Sequence, residues 1–72
     1  MRKVTVIWVD AKSYANEWKD FDEARILKPE RIETKGFLVA KLADRIIVAQ
    51  SQGENTWHNF MVIPRGSVIR IK

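Results

Sequence analysis

From Arg31 to Lys72 the chain is written almost wholly in strand-forming residues. Three short interruptions break it: Ala43-Asp44, Gln52-Gly53-Glu54-Asn55-Thr56 and the corner Pro64-Arg65-Gly66-Ser67. Between them lie Arg31–Leu42, Arg45–Ser51, Trp57–Ile63 and Val68–Ile71, rich in β-branched and aromatic side chains that suit a pleated surface. Arg45–Ser51 reads as the return strand after a tight Ala43-Asp44 turn, and the polar Gln52–Thr56 loop is the strongest turn signal in the chain. Lys3–Asp10 (KVTVIWVD) is a fifth strand of the same type. Val4, Val6 and Trp8 share one face, and Thr5, Ile7 and Val9 the other. Both faces are largely apolar, so this strand is either covered on both sides or lies partly against another subunit.

The stretch between the first two strands, about residues 11–31, has a different character. Ala11–Trp18 follows no clean period. Asp20 with Glu23 has the spacing of a capping box, and acidic residues in a first turn suit the helix dipole. Phe21, Ala24 and Leu27, with Ile26 beside them, can share a helical face, and Pro29 forces the helix to end before it. The spacing predicts a helix over Phe21–Leu27. The order is then β-α-β-β-β-β: mainly β, one domain over residues 1–72, with a short helical insertion. Five strands in this length imply a small, strongly bent barrel of the SH3 or OB type, and Gly36 inside a strand marks a bend or a close backbone approach. Trp8 and Phe60 are expected in its core, and Ile63, Val68, Ile69 and Ile71 are expected to close it around the Pro64–Gly66 corner.

Composition narrows the class. With 72 residues the chain buries little surface, and such small domains usually lean on disulfides, metals or self-association. There is no cysteine and one histidine, His58, which leaves good packing or a homo-oligomer. No apolar run approaches the roughly 20 residues of a membrane span, and Met-Arg-Lys followed by a strand lacks the pattern of a signal peptide. The expected location is the cytoplasm. Thirteen Lys and Arg against nine Asp and Glu give a net charge of +4, which favours an anionic partner.

The sequence also carries two resemblances. KGFLVAKLADRIIVAQS, with Gly36, Leu38 and Asp44, and MVIPRGSVIRI, with Arg65-Gly66, resemble the two motifs of the Sm/Lsm/Hfq-like small β-barrel family. That likeness implies an Sm-like barrel, subunit contacts through the fourth and fifth strands, and binding of single-stranded RNA. The chain departs from the family where RNA-binding members place an asparagine after the aspartate turn, since Arg45, Ile46 and Ile47 stand there. The opening VTVIWVDA with a later Glu17-Trp18, and the closing VIPRG, are similar to those of small bacteriophage-encoded proteins. This second likeness implies a small oligomer that sequesters a host immune signalling nucleotide.

No catalytic constellation emerges. His58 stands alone in a strand, no serine has a nucleophile-elbow setting, and the carboxylates at Asp20, Asp22 and Glu23 are explained by capping. No glycine-rich phosphate loop precedes a helix, and nothing calls for a cofactor or a metal. Binding is the better expectation. Tyr14 and Trp18 sit in the insertion beside Lys12, where aromatic faces and cations suit a nucleobase and its phosphate; alternatively Trp18 pins the helix to the barrel. Arg65 can offer a guanidinium to an anion, and Arg70 lies on the last strand, where Arg2, Lys3, Arg65, Arg70 and Lys72 can form one patch; alternatively these charges guard sheet edges. The candidate ligand-binding residues are therefore Tyr14, Trp18, Lys12, Arg65 and Arg70. The expected function is non-enzymatic capture of a nucleotide-like anion, with single-stranded RNA binding, or an adaptor or inhibitor of a host enzyme, as alternatives.

Overall fold

The computed structural model describes residues 2–72. Five strands follow one another: β1 (Lys3–Asp10), β2 (Glu30–Lys41), β3 (Arg45–Gln52), β4 (Trp57–Pro64) and β5 (Val68–Ile71). A single-turn helix, α1 (Phe21–Ala24), lies in the excursion between β1 and β2, and a 3-10 turn, Arg65–Ser67, joins β4 to β5. The connections from β2 onward are too short to cross a sheet, so each strand must return antiparallel. All four ladders are antiparallel, and the order across the sheet is β4-β3-β2-β1-β5. The protein is thus a five-stranded antiparallel sheet with one small helix, and among the described residues no ladder joins β4 to β5.

β2 makes the sheet bend. Its first part, Glu30–Phe37, pairs with β1, and its second part, Phe37–Lys41, pairs with β3. The two halves of the sheet therefore meet around Gly36-Phe37. A Cβ on Gly36 would lie inside 3.0 Å of the Ala49 carbonyl oxygen and 2.7 Å from Val48 Cγ1, so the backbones approach closely at this point. A register shift between Leu38 and Ala40 adds a bulge just beyond it, a feature that sharpens local twist. The core confirms the folding-over. Val4, Val6 and Trp8 of β1 pack with Ile46 and Val48 of β3 and Ile63 of β4, strands that share no ladder with β1, and Ile32, Leu38, Val68 and Ile71 rim this cluster. Trp8 gives its indole N–H to Thr34 Oγ1 at 2.9 Å, so the one polar atom of a core ring is paired.

Several expectations need correction. The helix spans Phe21–Ala24 rather than reaching Leu27, although the capping box is present as read, with Asp20 accepting from the Glu23 N–H and Glu23 reaching back to Asp20. One turn is all that forms because a short helix is stabilised mainly by a packed face, and every residue from 11 to 29 is exposed. Trp18 does not pin anything: it is 100% exposed. Phe60 is not core but 54% exposed, because it pairs with Ala49 on the outer face of the sheet while the core fills the inner one. Ile69 is likewise exposed. The corner after Pro64 is a 3-10 turn, in which Gly66 has no positive φ. The left-handed positions belong instead to Asn16, Asn55 and Asn59, a residue type that tolerates them.

The radius of gyration is 15.9 Å and the extents are 54 × 23 × 18 Å. A compact chain of this length has a radius near 11 Å. Two segments stand away from the core: the 11–29 excursion, and the tip of the β3–β4 hairpin, where β3 beyond Ala49 has no partner in β2. No helix among the described residues is long and apolar enough to cross a membrane.

Candidate anion-binding site

Antiparallel register decides which side chains share the outer face. Thr5 of β1 stands opposite Lys35 of β2, and Lys3 stands opposite Phe37. On the other edge of β1, Thr5 and Lys72 exchange both backbone hydrogen bonds at 2.9 Å, so they too are directly opposed. Lys72, Thr5 and Lys35 thus form one row across three strands, with Lys3 and Phe37 in the row beside it. Side chains in such rows are close neighbours.

These residues line a shallow cavity of about 390 Å³, together with Val4, Gly36 and Gln50. The volume lies in the range of small-molecule sites. Among the described residues its lining holds three lysines and no acidic side chain, which favours an anion there. Thr5 and Gln50 add groups that both donate and accept hydrogen bonds. The Lys3 ammonium lies 5.5 Å from the centroid of the Phe37 ring, a cation–π distance. Gly36 brings backbone to the cavity wall, and a side chain there would run into Val48 and the Ala49 backbone. One row further along, Arg70 stands opposite Ile7, which in turn faces Glu33. Ile7 is 1% exposed although it is on the outer face, as expected when flanking charged residues lay their aliphatic stems over an apolar neighbour.

The residues expected from sequence are spread over three places. Arg70 is on the same outer face as the cavity, one register step from Thr5–Lys72. Arg65 lies in the 3-10 turn, where its guanidinium reaches the Leu42 carbonyl at 3.5 Å and its N–H is given to the Asp44 carbonyl at 3.0 Å. Lys12, Tyr14 and Trp18 are in the excursion. Lys12 pairs with Glu30 at 3.4 Å and lies 5.4 Å from the Tyr14 ring. The hydrogen bond to Glu30, with charge interactions from Tyr14 and Glu30 behind it, holds the Lys12 ammonium above its ordinary pKa of 10.5. The Tyr14 hydroxyl donates to the Lys28 carbonyl at 3.2 Å. Structure therefore joins Lys12 to Tyr14, and leaves Trp18 pointing to solvent.

Lys35, Thr5, Phe37 and Gln50 escaped notice in the sequence. Their signal was available in the alternation of β1 and β2, but only a known β1–β2 register sets Lys35 beside Thr5. Among the described residues no group of three or more His, Cys, Asp or Glu side chains is placed to hold a metal. The chain matches no family model, no curated protein and no solved structure.

Proposed function

We propose that this chain is a non-catalytic binding protein for a small phosphate-bearing ligand of the nucleotide class, held over Thr5 by Lys3, Lys35 and Lys72. One observation carries the reading: three lysines line one cavity that has no acidic side chain among the described residues. Lysine is a mobile point charge with three donors, suited to phosphate oxygens whose position varies. Phe37 offers a ring face to a base once Lys3 swings from it to a phosphate. The lining supplies donors and charge but no histidine, acidic side chain or thiol. Its lysines, with the Thr5 hydroxyl, can grip an anion.

The scaffold for this reading is a strongly bent SH3/Sm-like sheet whose β4 and β5 edges are free for subunit contacts, and the working form is a homo-oligomer in the cytoplasm. Capture of a signalling nucleotide would need no more than affinity and abundance. A second reading, single-stranded RNA, draws on Arg70, which extends the positive face beyond the cavity. The two separate by salt dependence: affinity for an RNA falls with salt in proportion to the phosphates engaged, with a log–log slope of about −0.7 per phosphate for a single strand.

Isothermal titration calorimetry with linear and cyclic nucleotides and with oligo(U) and oligo(A) tests the proposal. At least one small nucleotide is expected to bind, and Lys35→Glu is expected to weaken it by at least about tenfold, since reversing a charge costs more than removing a typical charged hydrogen bond. Lys35 is exposed, so its variant keeps the fold. Absence of heat with every nucleotide, or equal affinity in wild type and Lys35→Glu, refutes the reading.

A further inference from the structure

The excursion is a built element that displays its aromatics outward. Tyr14 ties its outgoing limb to Lys28 on the returning one, Lys12 bridges to Glu30, and the Asp20–Glu23 capping box fixes α1. On this framework Trp18 is 100% exposed, Phe21 80% and Ile26 66%. A segment whose backbone is already tied in place loses less freedom on docking. Soluble monomers rarely leave such a cluster uncovered.

The same chain carries a surface that matches it. On the outer face of β2–β3–β4, Phe37 stands opposite Ala49, and Ala49 opposite Phe60. In the adjacent row Ala40 stands opposite Ile47, and Ile47 opposite Val62. Six apolar residues thus form two rows across three strands, with Phe60 and Val62 more than half exposed. Charge is complementary locally: Asp20, Asp22 and Glu23 flank the Phe21 anchor. Lys3 stands beside the patch, opposite Phe37.

We infer that the 11–29 excursion of one copy docks on this outer apolar patch of a second copy, with Trp18 and Phe21 as anchors. The two rings bring about 300–450 Å² of apolar surface, and Ile26, Leu27 and Tyr14 extend it towards the roughly 800 Å² per partner of a stable interface. The excursion spans 19 residues between Asp10 and Glu30, close to the 20 or so residues per side that such an interface uses. This contact goes beyond the nucleotide reading and does not rest on it: the patch shares Phe37 with the lysine cavity, but neither Trp18 nor Val62, the positions altered below, lines that cavity, so assembly and ligand binding can fail separately.

Sedimentation velocity on the full chain tests the inference with three samples and one mixture. Wild type is expected to self-associate. Trp18→Ser, which removes a ring with no contact inside its own chain, is expected to weaken association by at least about 30-fold, the effect of losing an interface hot spot. Val62→Glu, which places a carboxylate in the patch, is expected to do the same while keeping its far-UV circular dichroism. Mixing the two defective chains restores one intact contact per pair and is expected to yield a one-to-one heterodimer. A monomeric wild type overturns the inference, as does a Trp18→Ser protein that assembles like wild type. An assembly lost in Trp18→Ser but unaffected in a folded Val62→Glu means that excursions pair with one another, and this too overturns it. Should Val62→Glu not fold, Trp18→Ser still decides, because that side chain supports nothing in its own subunit.

Discussion

Alanine at position 36 tests the account of the bend. An added Cβ would meet the Ala49 carbonyl oxygen inside 3.0 Å and the Val48 Cγ1 at 2.7 Å. One of those neighbours is backbone and the other belongs to a buried core residue, so neither can swing aside. The β2–β3 ladder must open where Phe37 pairs with Ala49. Overpacking of this kind costs about 1–3 kcal/mol, and a lengthened ladder bond adds about 1 kcal/mol. A chain of 72 residues holds roughly 4–11 kcal/mol of stability in all, so Gly36→Ala removes a large share of it. Each kcal/mol moves the melting temperature of a domain this size by about 4–8 °C, and a fall of at least about 10 °C is expected. Gly66→Ala is the internal control. Nothing lies within 4 Å of its Cβ position and its φ is not positive. Alanine there should restrict the unfolded chain and stabilise by about 0.4–1 kcal/mol. Thermal melts followed by circular dichroism, with urea titrations to check that the m-value is unchanged, read both variants. A Gly36→Ala protein that melts with the wild type would show that β2 and β3 do not approach closely at Ala49, and the account of the bend would fall with it.

Two further outcomes follow from individual side chains. The Trp57 indole N–H is buried without a partner, whereas that of Trp8 is bonded to Thr34; Trp57→Phe should therefore leave stability unchanged or raise it, and Trp8→Phe should lower it by about 1–3 kcal/mol, both read by urea denaturation. The Lys12–Glu30 pair raises the folded pKa of Lys12 above 10.5, so its contribution is fully present below that value and is lost only as pH climbs through the folded pKa; melting temperatures of wild type and Lys12→Met should run parallel from neutral to mildly alkaline pH and converge only in strong alkali.

Much of this architecture is legible in the sequence. β1 was bounded at Lys3 and Asp10, and the later strands within a residue or so of where they stand, because turn chemistry at Ala43-Asp44, Gly53 and Pro64 leaves them little freedom. Gly36 marks a bend or a close backbone approach, and β2 does come close to Ala49 of β3 there. What failed shares a cause. Phe60 and Ile69 look like core residues by type, yet Phe60 falls on the outer face and Ile69 is the extra residue at the β1–β5 register shift, both exposed, and residue type reports neither. Trp18 suits either a stacking ring or a pin between helix and barrel by type, yet it pins nothing and is fully exposed. The site was the least legible part. Lys3 and Lys72 were grouped by their place at the two ends of the chain, but Lys35, 32 positions from one and 37 from the other, joins them only through two ladders.

Those ladders tie the core to the cavity. Side chains alternate with a period of two, so a slip of one residue in the β1–β2 register would turn Lys35 inward while Thr34, the Trp8 partner, turned out. The cationic row therefore exists only while Trp8 packs inside and holds Thr34 at 2.9 Å. On the other edge of β1, the paired bonds between Thr5 and Lys72 have the same role. The register shift between Ile7 and Trp8 against β5 separates Val68, in the rim of the core, from Arg70, on the outer face with Lys72. The charges that would grip a phosphate are fixed not by contacts among themselves, which would repel, but by apolar packing on the opposite face of the same strands. Burial of Val4, Val6 and Trp8 sets the spacing of Lys3, Thr5 and Ile7 between them, and the sheet presents that spacing to solvent with Lys35 and Lys72 alongside.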